Sequence, residues 1–143
     1  MPKLKALINR VQADYPQLQF ESGEVFTFRP PQTILYNPSV EGAELILLHE
    51  LGHYLDKDQD YTSDIALLRI EAEAWQRAKS LSETYQINWD EDFAQAKLDS
   101  YRDWLHQASL CPICEVNGYQ DKQGHYHCPL CEKSWNRQEI PEL

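Results

Sequence analysis

At 143 residues, with 42% hydrophobic and 11% aromatic content, the chain suits one modest domain or a small domain with a metal-stapled appendage, and general disorder is excluded. The formal net charge of −10 is concentrated between residues 41 and 108, where fifteen acidic groups face six basic ones; residues 1–40 sum to +1 and residues 109–143 to −2. That surface repels phosphate backbones, and no apolar run reaches the roughly 18 residues of a bilayer span, so neither nucleic acid nor a membrane is the expected partner.

The N-terminus, MPKLKALINRVQADYP, is charged and periodic, and lacks the apolar block and small-residue cleavage site of a secretory signal. A cytoplasmic protein is therefore expected. Leu4, Leu7, Ile8 and Val11 recur at helical spacing, predicting a first helix over 2–14 that Pro16 stops. The segments LQFES, EVFTF and TILYN are short, aromatic and β-branched, separated by Ser22-Gly23 and Pro30-Pro31; they predict a small antiparallel-type sheet of three strands. Ser39 is positioned to cap the next helix, which runs through Val40, Ala43, Leu47 and Leu51. After the charged loop DKDQDYTS, Ile65, Leu68, Ala72, Trp75 and Ala78 mark a long helix. Asn88 and Glu91 form a candidate capping box for a last helix to about His106.

The second of these helices carries the segment ELILLHELGHYLDKD, in which His49, Glu50 and His53 interrupt an apolar run. Residues four apart share a helix face, so His49 and His53 can present two imidazole nitrogens to one zinc ion. Glu50 lies on the adjacent line, near enough to take a proton from a water activated there without being a ligand. A catalytic zinc site commonly needs a third protein ligand and an open position. The following helix, RIEAEAWQRA, offers Glu71 and Glu73 on nearly opposite sides. Glu73 groups with Ile70 and Arg77, and Glu71 with Leu67, Leu68 and Trp75; periodicity alone leaves both open. Asp56, Tyr61 and Tyr85 are polar groups that read more simply as solvated loop residues.

The run HELGHYL followed by EAEAW and Ala78 resembles the ImmA/IrrE-type zinc metallopeptidases, a compact branch of the zincins, over about Thr33 to Leu81. The resemblance implies a glutamate opening an E-A-x-x-x-A helix as third ligand. Matched residue by residue, that is Glu73, followed by Ala74 and Ala78. The family's usual asparagine after E-A is Trp75 here, and the helix-turn-helix segment often linked to the family is not recognisable. SprT-like proteases, which also pair H-E-x-x-H with a zinc ribbon, are the runner-up. They use a third histidine soon after the motif, whereas the next one here is His106.

Downstream, CPICEVNGYQDKQGHYHCPLC sets the pair Cys111 and Cys114 apart from the pair Cys128 and Cys131 by thirteen intervening residues. Two such knuckles can close four thiolates around a structural zinc, leaving no open position. His125 and His127 are surplus to a four-cysteine set and read as hairpin residues, and Trp135 is expected to pack on the module. The expectation is thus an α+β chain: a minimal zincin metallopeptidase domain over 1–108 and a zinc ribbon with its tail over 109–143. It would use two zinc ions, with His49, His53 and Glu73 as catalytic ligands and Glu50 as base. A protein or peptide substrate would be aligned along the strand Thr33–Tyr36. The competing reading from another class is a non-catalytic interaction module on the same scaffold.

Overall fold

The computed structural model describes residues 2–57, 61 and 63–136. It is α+β, with four helices and two three-stranded sheets among the described residues. No helix among them is long and apolar enough to cross a membrane. Two compact units interleave along the chain: Met1–Asp58 with Ala72–Phe93, and Gln59–Glu71 with Ala94–Leu143.

In the first unit, helix α1 (Pro2–Asp14) buries Leu4, Leu7, Ile8 and Val11, the four residues whose spacing predicts it. The strands β1 (Gln19–Ser22), β2 (Thr27–Arg29) and β3 (Thr33–Tyr36) form a sheet in the order β1-β3-β2. β2 and β3 are an antiparallel hairpin about Pro30-Pro31, with Phe28 opposite Ile34. β1 pairs with the other side of β3 in parallel, Phe20 opposite Ile34. The sheet is mixed, which corrects the antiparallel expectation. The short turn sets β2 beside β3, and β1 takes the other side of β3. Thr33–Tyr36 is consequently the central strand, so it has no free backbone edge for a peptide; β1 and β2 are the outer strands.

Helix α2 (Ala43–Asp56) follows, with Leu47, Leu48 and Leu51 fully buried. Its N-cap is Gly42 in the left-handed region, φ 73°, with no side-chain cap. Ser39 belongs to an earlier turn, where its amide donates to Asn37 Oδ1 at 2.9 Å. A Cβ at Gly42 would stand 2.4 Å from the Phe93 ring, so the residue must be glycine for both backbone and space. Helix α3 (Asp64–Thr84) follows a 3.6-residue stripe, burying Leu67, Glu71, Ala74, Trp75, Ala78, Leu81 and Ser82. Helix α4 (Glu91–Ala108) is capped by Asp90, whose Oδ1 accepts the Phe93 amide at 3.1 Å, rather than by Asn88.

The second unit contains β4 (Tyr119–Gln120), β5 (Tyr126–His127) and β6 (Ser134–Trp135), all antiparallel. β4 and β5 are the expected hairpin, turning at Gly124. Its core joins Leu67, Tyr101, Trp104 and Ala108 to Tyr126, with Trp135 packed against them. Trp135 stacks on Tyr126 with ring centroids 5.8 Å apart and donates its indole N–H to the Ala108 carbonyl at 2.8 Å. Tyr126 donates its hydroxyl to Asp64 Oδ2 at 2.6 Å.

Candidate metal centres

The apolar residues flanking the motif drive α2 into the interior, and the polar ones are carried in with it. His49, Glu50 and His53 are only 4%, 7% and 7% exposed. The one-turn spacing brings the two Nε2 atoms to 3.1 Å. Nitrogens about 2.0 Å from a tetrahedral zinc would stand about 3.3 Å apart, so the pair already has a chelating geometry.

A carboxylate completes the group, and it is Glu71. Ligand atoms of His49, His53 and Glu71 all lie within 4.8 Å of one another, and all three residues are buried. Glu73 is exposed and is not part of this group. The carboxylate that the structure brings to the two histidines is thus Glu71 and not Glu73, the residue the resemblance implies. Two residues along a helix are about 200° around it. Leu67, Glu71, Ala74, Trp75 and Ala78 form the buried stripe, and Glu73 points away from it.

Gly52 lets α3 come this close. A Cβ there would meet the Ala74 carbonyl oxygen at 2.7 Å, so the glycine inside H-E-L-G-H is a close-approach residue. The same approach lays the Trp75 indole flat on the His49 imidazole, with centroids 4.3 Å apart and planes 11° from parallel. Trp89 and Phe93 meet the Trp75 ring edge-on at 6.2 and 6.3 Å.

Glu50 is held from two sides. Its Oε2 accepts the backbone N–H of Phe28 in β2 at 2.7 Å, and its Oε1 lies 3.4 Å from His49 Nδ1. The carboxylate therefore sits beside the histidine pair without belonging to the ligand group. Asp56 pairs with Arg77 at 2.9 Å. Tyr85 donates its hydroxyl to Asp14 at 2.6 Å, and burial followed by that carboxylate pushes its ionisation well above the usual phenol range. Tyr61 packs against the core of the second unit.

The four cysteines also converge, with their sulfurs within 4.8 Å of one another. The Cys111 and Cys131 sulfurs are 3.6 Å apart, close to the about 3.8 Å edge of a tetrahedron with Zn–S bonds of about 2.3 Å, and the cysteines are free. Each knuckle points amides at its first sulfur. Ile113 and Cys114 donate to Cys111 Sγ at 3.4 Å, while Leu130 and Cys131 donate to Cys128 Sγ at 3.3 and 3.4 Å.

Burial disfavours the Cys111 thiolate, but the Cys114 and Ile113 amides and the neighbouring cysteines outweigh it and bring the thiol down to about 7. Sharing with Cys131, then burial, pushes Cys114 up to about 12. Sulfurs this crowded do not all ionise together unaided, and a divalent cation removes the conflict because thiolate is its ligand form. His127 lies outside the set. Its Nε2 is 2.7 Å from Asp121 Oδ2 and its Nδ1 is 2.9 Å from Ser134 Oγ.

Comparison with known proteins returns no family model, no curated protein and no solved structure that matches this chain. The site's geometry and the motif therefore carry the functional argument by themselves. Glu71 was one of two carboxylates the sequence left open, and its signal was its register with the apolar stripe of α3; two further contributors escaped sequence reasoning. Trp75 had only its place in that stripe, and the Phe28 amide had none, because a backbone donor leaves no trace in residue type.

Proposed function

We propose that this protein is a zinc-dependent metallopeptidase, a minimal zincin of the ImmA/IrrE type with a four-cysteine zinc ribbon. His49, His53 and Glu71 would hold the catalytic ion, and Cys111, Cys114, Cys128 and Cys131 the structural one. The observation that supports it best is Glu50, a buried carboxylate oriented by the Phe28 amide beside a histidine pair with a chelating spacing.

A zinc ion at the three ligands supplies Lewis-acid polarisation of a carbonyl and lowers the pKa of water. Glu50 takes the proton of the attacking water and returns it to the leaving amine. The Phe28 amide keeps the carboxylate aimed while it does so. An extended peptide would pair with β2, the outer strand that already reaches Glu50, rather than with central β3. The net charge of −10 favours a protein or peptide over nucleic acid as the substrate.

Glu50→Gln is the decisive variant, since the amide keeps the shape but accepts no proton. Zinc-loaded parent and variant are incubated with a complex peptide library, and new termini are counted by mass spectrometry. The parent should generate them, and the variant, holding the same zinc, should be slower by at least about a hundredfold. Equal cleavage by both would remove Glu50 as base, and a zinc-loaded parent that cleaves nothing in the library would count against the peptidase reading.

A further inference from the structure

Metal-bound histidines are usually oriented through the ring nitrogen that faces away from the metal, by a hydrogen-bonded carboxylate or carbonyl. At His49 the Glu50 carboxylate oxygen Oε1 lies 3.4 Å from Nδ1, and Glu50 is itself tied to the Phe28 amide. The Trp75 ring is a planar constraint on this imidazole, parallel to within 11° and 4.3 Å away. Trp75 is 3% exposed, and its own tilt is set by Trp89 and Phe93 edge-on. Its indole N–H is buried and finds no acceptor among the described residues. A buried donor left unmade is costly, and an aliphatic residue would fill the same core without it. The flat ring is what distinguishes Trp75 from such a filler.

We infer that Trp75 is a positioning residue for the first metal centre: by stacking on His49 it fixes the plane of the imidazole and so aims Nε2 at the point shared with His53 and Glu71. This rests on the reading of His49, His53 and Glu71 as a metal centre. It adds a residue that touches neither substrate nor metal and that acts through its ring face.

The test uses the full chain with its cysteine site loaded. Zinc affinity at the histidine site is measured by chelator competition for the parent, Trp75→Phe and Trp75→Leu, alongside the visible spectrum of cobalt bound at that site. Phenylalanine keeps a flat ring and should stay within about threefold of the parent. Leucine should weaken zinc about ten- to a hundredfold, the range seen when a ligand's supporting contact is lost, and should change the cobalt spectrum. A leucine variant matching the parent, or a phenylalanine variant as weak as leucine, overturns the inference.

Should the leucine variant not fold, the parent itself decides. In its zinc-loaded form the His49 ring protons should be shifted upfield by the indole ring current, and unshifted protons overturn the inference. A parent that binds metal only at its cysteines overturns the metal-centre reading and this inference with it, whereas failure of the Trp75 variants or of the ring shift alone leaves that reading standing.

Discussion

A carboxylate that is 7% exposed, on the same face of α3 as Leu67, Ala74 and Trp75, carries a desolvation cost that a neighbouring cation relieves. Glu71 is in that position, and Glu73, two residues on and about 200° around the helix, is solvated. Glu71→Ala should therefore weaken zinc at the histidine site by at least about a hundredfold, while Glu73→Ala should leave it within about threefold, measured by chelator competition. The reverse ranking would restore Glu73. Both histidines and Glu50 were legible from the spacing of one short motif, because a single turn of helix fixes their geometry. The carboxylate that joins the histidines was not, because E-A-x-x-x-A fits Glu73 through Ala74 and Ala78 while the buried period of α3 brings Glu71 to them. Where a motif match and a burial period disagree, the burial period reports which side of the helix faces the interior.

At the scale of elements, the closeness of α2 and α3 depends on one missing methyl. Alanine in place of a mid-helix glycine ordinarily stabilises by about 1 kcal/mol. At Gly52 the new Cβ would meet the Ala74 carbonyl oxygen at 2.7 Å, and the obstacle is backbone, which cannot swing aside. The clash should win. Gly52→Ala is expected to lose about 1–3 kcal/mol in chemical denaturation and to weaken zinc at the first site, by moving His49 and His53 relative to Glu71. A variant as stable as the parent would show that the helices can separate freely. The helices were readable because their signal is local and periodic. The order β1-β3-β2 and the Gly42 cap were not, since strand neighbours and a ring standing where a Cβ would be are settled by residues distant in sequence.

For the whole molecule, the cysteine module is too small to bury a core of its own. Tyr126 and Trp135 are packed with Leu67, Tyr101 and Trp104, which is why the second compact unit includes helical segments that composition alone assigns upstream of residue 108. The Tyr126 hydroxyl bond to Asp64, a fully buried acid, is part of that packing. Tyr126→Phe should cost about 1–3 kcal/mol, the range for leaving a buried hydrogen-bonding partner unsatisfied, read as a lower denaturation midpoint; an unchanged midpoint would mean that the bond contributes nothing. The central claim is that one chain builds two metal centres of different chemistry. Native mass spectrometry of the zinc-loaded protein tests it most directly, comparing the parent with His53→Ala. Two zinc ions on the parent and one on the variant is the predicted result, and a single ion on the parent, or two retained by the variant, would contradict it.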